Sequence, residues 1–318
     1  MKVSVALISF NGSKFIKEQI DSILNQDEAV DEIIIFDDCS TDNTWNLLIE
    51  CQRKYPNKIY LYQNEKNIGY YLNIQQAIKR CTNDIICLAD QDDIWLPNKI
   101  AYIKQYFNDH ADVVGICTNG FIINENSILL PKYDLWQRMS FPYELVSKNN
   151  LFKEYTYTVE NAATGASIAF KKNALNIDKP FPPIPFLIHD RWIVMQLLEV
   201  GKFEFIIEKL IKYRIHDQQS IGGIEENIER YLEYNQNILL NNFTFSSFKD
   251  VRFILNKIEN NIKIIDDIKN VGMYKIECHL YLNKLNQKLL NCKKAAKRQF
   301  PFLMILRKLK KKMLGNFF

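Results

Sequence analysis

From Val3 to Cys117, short β-branched runs alternate with stretches in which apolar residues recur every three or four positions. This is the pattern of βαβ units wound into a mostly parallel sheet. The runs Val3–Ile8, Glu32–Phe36, Lys58–Tyr62, Asp84–Ala89 and Val113–Thr118 read as strands. Helices are expected near Ser13–Asn25, Asn43–Lys54, Tyr70–Arg80 and Asn98–Asn108, with Ile16, Ile20, Ile23 and Leu24 forming the stripe of the first. Crossovers of this kind gather the C-terminal ends of the strands on one edge of the sheet, where ligands bind in such folds. The polar clusters of the sequence fall on that edge.

Further along, the pattern loosens. Asn119 to Asn161 has short apolar runs and several aromatics with no sustained period. A strand is expected over Ala166–Phe170, then a Pro-rich turn at Lys179–Pro185, then a helix from near Asp190 towards Val200. Beyond Gly222-Gly223, Phe248, Val251, Leu255, Ile258, Ile262 and Ile265 repeat at spacings of three and four, the seam of an antiparallel helical hairpin. The chain thus divides into an α/β domain over 1–222 and a helical region over 223–318.

Composition changes this picture in two places. With 47% hydrophobic and 25% charged residues among 318, the balance is that of a globular chain. The seven cysteines are scattered without a CxxC pair, which fits a reducing cytosol, and no run approaches the roughly 18–20 apolar residues that cross a bilayer. The net charge of +4 is uneven, because Lys293 to Phe318 holds nine Lys or Arg and no Asp or Glu. Removing those nine from 41 basic residues leaves 32 against 37 acidic, so the body is acidic and the tail basic.

The strongest chemical feature is Asp90-Gln91-Asp92-Asp93, three carboxylates following the buried run Ile85 to Ala89. Like charges this close repel unless a cation neutralises them. Oxygen ligands suit Mg²⁺ or Mn²⁺, which complete their shells with substrate phosphates. The plainer role for Asp92 or Asp93 is to cap a helix starting near Pro97. Asp37-Asp38-Cys39-Ser40-Thr41-Asp42 follows a second buried run; Thr41 or Asp42 can cap the next helix, while the paired acids can accept hydrogen bonds from a nucleobase and ribose. Asp190, after the Pro-rich turn, is either a helix N-cap or a base. Thr164-Gly165-Ala166-Ser167 is either a tight turn or a close approach to a sugar ring. His216 is either a surface histidine or a ligand.

Together with Val5 to Gly12, the two acidic blocks resemble the inverting glycosyltransferases of family 2, over roughly residues 1–220. The resemblance implies a GT-A fold, a nucleotide-sugar half at about 1–118 and an acceptor half at about 119–222. It implies that Ser9, Phe10 and Asn11 line the nucleotide, with Phe10 stacking on the base where the family often has tyrosine. Asp38 would contact the base, and Asn67 and Gly69 would belong to a loop closing over the nucleotide. Asp90 would serve ribose or metal, Asp92 the metal on the diphosphate, and Asp93 would stand behind them. Gly165 and Ala166 would lie beside the donor sugar. Asp190 would be the general base, with His189 preceding it where the family often has glutamate or another polar residue. Tyr213-Arg214-Ile215-His216 matches a family pattern that makes His216 a metal or diphosphate ligand.

The implied reaction is transfer, with inversion, of a sugar from a UDP- or dTDP-sugar to a glycan or lipid-linked oligosaccharide, in polysaccharide synthesis. The Asp-Gln-Asp-Asp-Ile-Trp segment is similar to that of rhamnosyltransferases. Phe302, Ile305, Leu306, Leu309 and Met313 share one face of an expected tail helix otherwise rich in Lys and Arg. An anionic membrane surface at the inner face of the cell membrane is favoured for it over nucleic acid or plain solvent, because a lipid-linked acceptor would reside there. The C-terminal helices also offer a surface for a homo-oligomer. Two other functions remain to be weighed: a metal-dependent phosphohydrolase or nuclease, and a non-catalytic nucleotide-sugar binding module.

Overall fold

In the computed structural model, residues 1–161, 163–217, 219, 227–271, 275–305 and 307 are described. Gly222-Gly223 and the tail from 308 onward, including Leu309 and Met313, lie outside them, as does Leu306.

The chain begins as expected. Strand β1 (Val3–Ser9) leads through α1 (Ile16–Leu24) to β2 (Glu32–Asp37), α2 (Thr44–Lys54), β3 (Ile59–Gln63), α3 (Tyr70–Arg80) and β4 (Ile85–Ala89). A two-residue strand β5 (Ile94–Trp95) precedes α4 (Lys99–Asp109). The long strand β6 (Val113–Ile123) then turns back as β7 (Leu129–Asp134). Three short helices follow, α5 (Leu135–Arg138), α6 (Tyr143–Lys148) and α7 (Phe152–Thr158). The segment from Asn119 to Asn161 is therefore strand, hairpin and helix in succession, each too short to establish a period. A 3₁₀ turn at Gly165–Ser167 enters β8 (Ile168–Lys171), and α8 (His189–Val200) leads into β9 (Lys202–Arg214). Helices α9 (Ile228–Leu240), α10 (Phe248–Asn270) and α11 (Lys275–Gln299) complete the described chain.

Nine strands form one sheet in the order β3-β2-β1-β4-β8-β6-β9-β5, with β7 paired to β6. β3, β2, β1 and β4 run parallel, and β6 is parallel to β9; β8 is antiparallel to both β4 and β6, and β5 to β9. All six residues of β2 and all five of β4 are buried, which is why each reads as an unbroken apolar run. β9 had no such signature. Its buried and exposed residues are interrupted by register shifts against β6, so neither strict alternation nor a continuous run survives.

Two compact units make up the chain. One comprises Met1–Met139, Asn161–Phe181 and Ile188–Glu226, and holds the whole sheet. The other comprises Ser140–Glu160, Pro182–Leu187 and Asn227–Phe318. Within this second unit, α10 buries Val251, Leu255, Ile258 and Ile265 on one stripe, and Ser247 caps it with a reciprocal Asp250 box. Lys288 of α11 donates to the carbonyls of Ile238 and Leu239 at the end of α9, satisfying groups a helix C-terminus leaves open.

Candidate active site

β1 and β2 end side by side, with Ser9 opposite Asp37, and their following turns are laced together by side chains. Ser9 Oγ donates to Asp37 Oδ1 at 2.9 Å, the Asn11 N–H donates to Ser40 Oγ at 2.9 Å, and Asn11 Oδ1 accepts the Thr41 N–H at 2.8 Å. Asn11 sits at φ 49°, a left-handed conformation that Asn tolerates better than most residues. Its side chain and that of Ser9 thus fix the two turns, and Phe10 between them stands 42% exposed. Asp42 Oδ1 accepts the Thr44 N–H at 2.9 Å, but the N-cap of α2 is Asn43 with no side-chain cap, so neither Thr41 nor Asp42 caps the helix as expected.

Asp38 is almost fully buried. Its Oδ1 accepts from Asn64 Nδ2 at 2.8 Å and the Ile68 N–H at 2.9 Å, and its Oδ2 accepts the Gly69 N–H at 2.8 Å. Asn67 Oδ1 also accepts from Gly69, at 3.1 Å, and Gly69 has φ +83°. The residues read as base contact and closing loop therefore meet, through the carboxylate's grip on the loop backbone.

At the end of β4, Gln91 clasps the backbone of Phe10: its Oε1 accepts the Phe10 N–H at 2.9 Å and its Nε2 donates to the Phe10 carbonyl at 3.1 Å. Gly12 permits this, since a Cβ there would lie 2.1 Å from Gln91 Oε1. Asp92 Oδ2 is 2.9 Å from His216 Nε2. Asp93 is buried; its Oδ1 accepts the Arg214 N–H at 2.9 Å, and its Oδ2 has no hydrogen-bond partner. Burial first, then the charges of Asp92 and Asp90, push Asp93 well above the usual carboxylate range. Asp90 is pushed up to about 7 by burial and then by Asp92 and Asp190. Neither Asp92 nor Asp93 caps α4, which starts after Asn98 with no side-chain cap.

Arg214 ties this cluster to its surroundings. Fully buried, it donates from Nε to the Asp92 carbonyl at 2.6 Å, from Nη1 to Ser127 Oγ at 2.9 Å and from Nη2 to Glu18 Oε2 at 2.6 Å. The guanidinium lies 4.5 Å from the Phe15 ring centre, and that ring packs 4.9 Å from His216. A planar fork with five donors suits such a junction.

Asp190 occupies the first turn of α8, whose N-cap is Ile188 with no side-chain cap, so the helix does not use the carboxylate as its cap. Asp190 Oδ1 accepts the Arg191 N–H at 2.7 Å and Oδ2 accepts the Gly165 N–H at 3.3 Å. Burial raises its pKa to about 7 against the pull of these hydrogen bonds. Gly165 lets the chain approach α8, because a Cβ there would meet His189 Nε2 at 3.0 Å. The carbonyl of buried Ala166 accepts from Lys99 Nζ at 3.0 Å; Lys99 is itself buried over the Trp95 ring, and burial lowers it to about 8. His189 is held down to about 4 by burial.

The sheet edge thus brings together Phe10, Asp38, Asn67 and Gly69 on one side and Asp92 with His216 on the other. Asp190, Gly165 and Ala166 form a third group, linked to Asp90 through its electrostatic field. Among the described residues no group of three or more His, Cys, Asp or Glu is placed to hold a metal ion. Sequence reasoning left Gln91, Lys99 and Arg214 without roles. Gln91 lies between the acids and Arg214 two residues before His216, so position in the motifs was the available signal.

This geometry, a mostly parallel sheet with acids and loops at the C-terminal edge of β1, β2 and β4, is that of an α/β fold in which ligands bind at that edge. The chain belongs to glycosyl transferase family 2, whose model matches residues 4–175. It is 26% identical over 282 residues to a glycosyltransferase of Haemophilus influenzae, covering 86% of this chain and 81% of that one. It is 26% identical over 229 residues to the dTDP-rhamnosyl transferase RfbG of Shigella flexneri, covering 68% and 74%. A glycosyltransferase of Nostoc is 28% identical over 68% of this chain, a span that makes up 65% of the relative. Among solved structures, S. aureus TarS 1–349 superposes with a TM-score of 0.54 at 15% identity, covering 94% and 91%. Mannosyltransferase PcManGT of Pyrobaculum calidifontis, in complex with GDP-Man and Mn²⁺, gives 0.54 at 13%, covering 95% and 88%. These likenesses show a GT-A-like fold with a C-terminal helical region. No described helix is long and apolar enough to cross a membrane.

Proposed function

We propose that the chain transfers a glycosyl group, with inversion, from a nucleotide-diphospho-sugar to an acceptor hydroxyl, with Mn²⁺ or Mg²⁺ held on the diphosphate. The observation that carries this is a buried carboxylate raised to about 7, Asp190, in electrostatic reach of the acidic cluster that contains the Asp92–His216 pair. The pair fits the cation: its 2.9 Å spacing matches two adjacent ligands of an octahedral ion, which lie about 3.0 Å apart at bond lengths of roughly 2.1 Å. Phosphate oxygens and water would complete the shell around these two protein ligands. Bound there, the cation would offset charge on the departing diphosphate.

Phe10, exposed between two fixed turns, supplies a ring for the base, and the loop held by Asp38 supplies its cover. Asp190 accepts the proton of the acceptor hydroxyl as that oxygen bonds to the anomeric carbon and the bond to the diphosphate breaks. A pKa near 7 suits a group that must be ionised before transfer and basic enough to take a proton. A single displacement inverts the centre and requires no nucleophilic side chain.

The donor reading, UDP- or dTDP-sugar, draws on the name of the Shigella relative and on the TarS complex with UDP-GlcNAc. The acceptor reading, a glycan or lipid-linked oligosaccharide, draws on relatives such as the putative teichuronic acid biosynthesis glycosyltransferase TuaG of Bacillus subtilis. The nine basic residues from Lys293 onward, with exposed Phe302 and Ile305, support peripheral binding to an anionic inner membrane face. Loss of anionic-vesicle binding after removal of residues beyond Asn291 is expected, and unchanged binding would overturn that part.

The test of the whole is a panel of nucleotide sugars offered with Mn²⁺ or Mg²⁺. Transfer from one donor, with an inverted product and sharply reduced turnover by Asp92→Ala, is expected. No binding or transfer with any donor, or full transfer by Asp92→Ala, would reject the reading.

A further inference from the structure

Tyr70 opens α3 and leaves its ring 39% exposed, although its backbone is firmly placed. The preceding Gly69 turns the chain at φ +83°, and the N–H groups of Ile68 and Gly69 are both held by the Asp38 carboxylate. On its other side the ring meets His189 edge to face at 5.6 Å, and His189 directly precedes Asp190. The charge of Asp190, after burial, is what holds the Tyr70 phenol above its ordinary range, so hydroxyl and carboxylate share one neighbourhood. Its neighbour Tyr71 turns the other way, against buried Phe181 at 5.5 Å. Tyr70 therefore packs one edge on His189 and leaves the rest of a half-wet aromatic beside Asp190.

The proposed transfer requires the acceptor hydroxyl to reach Asp190, so the acceptor ring must rest on whatever flanks that carboxylate. A pyranose presents an apolar face of C–H bonds and a polar rim, the complement of an aromatic face with a hydroxyl at its tip. We infer that the Tyr70 ring is the platform for the acceptor sugar, taking the C–H face of a pyranose while the phenol hydrogen-bonds a ring substituent and the reacting hydroxyl faces Asp190. This rests on the transferase reading above and adds the substrate class: a pyranoside with one face free of axial hydroxyls, in preference to a flexible aliphatic alcohol. Because the loop that places Tyr70 is the one Asp38 holds, the same backbone would serve the nucleotide and the acceptor.

The test uses the full chain, UDP with Mn²⁺ as the nucleotide probe, and methyl β-D-glucopyranoside and methyl α-L-rhamnopyranoside as acceptor probes. Saturation-transfer NMR should show both C–H faces receiving magnetisation from the wild type. Tyr70→Ala should weaken glycoside affinity about tenfold or more, while Tyr70→Phe and Tyr70→Trp keep it within about threefold, because the ring is preserved. The affinity for UDP should not change in any of the three. Equal glycoside affinity in Tyr70→Ala, a matching loss of UDP affinity, or no glycoside signal from a wild type that binds UDP would each overturn the platform. A wild type that binds neither nucleotide sugar nor UDP would reject the transferase reading itself.

Discussion

Asp92 Oδ2 and His216 Nε2 lie 2.9 Å apart although 124 residues separate them in the chain. Arg214 sets that approach, because its Nε holds the Asp92 carbonyl while its own backbone delivers His216 two residues later. If the pair holds the cation, Asp92→Asn and His216→Ala should each weaken Mn²⁺-dependent binding of UDP by about tenfold or more. Metal-free UDP binding should change little. Calorimetry with and without Mn²⁺ reads this directly, and equal Mn²⁺ enhancement in both variants would count against the pair.

Arg214→Lys tests the junction. A lysine keeps the charge but cannot span the Asp92 carbonyl, Ser127 and Glu18 with one planar fork. The variant should lose about 2 kcal/mol or more of stability, since buried partners are left unsatisfied. Chemical denaturation measures it; Glu18→Gln, at a carboxylate that is partly exposed, should cost less.

Gly12→Ala should act entirely through Gln91. The added Cβ would collide with the end of the Gln91 side chain, which would swing away and release both hydrogen bonds to the Phe10 backbone. Gly12→Ala and Gln91→Ala should therefore weaken nucleotide binding by similar factors. The double variant should be no worse than either alone, and additive losses would show that the two act separately.

The pH profile follows from Asp190. Only its ionised form can take a proton, and burial places its pKa at about 7. Transfer should fall about tenfold for each pH unit below that value and level off above it. The stability sign is opposite. In the unfolded chain the carboxyl titrates near about 3.9, so between that value and about 7 the folded chain binds a proton the unfolded chain has released. Stability from this group is therefore present at low pH and lost as pH rises through the window. Asp190→Asn should flatten this dependence, with the gain over the wild type larger at pH 8 than at pH 5 in denaturant melts.

Much of this was readable in the sequence because the informative residues are local. The fully buried strands β2 and β4 appear as continuous apolar runs, and the acids at their ends mark the sheet edge. α3 matches its expected span from Tyr70 to Arg80. What stayed hidden depends on distant pairing. β9 takes its burial from a shifting register against β6, so its sequence has no clean period. The task of Gln91 becomes visible only when β1 and β4 lie adjacent, and that of Lys99 only when the Gly165–Ser167 turn comes to rest over it. The two backbone N–H groups on Asp38, from Ile68 and Gly69, were hidden too, since backbone donors leave no trace in composition.

The most direct test of the account is turnover by Asp190→Asn at saturating donor, measured beside its affinity for the nucleotide. Asparagine keeps the shape of the side chain and can still accept the Gly165 N–H, but it cannot take the acceptor's proton. Turnover should fall by about 10²–10⁴ with nucleotide affinity unchanged. Turnover within a few-fold of the wild type would contradict the assignment of Asp190 as the base.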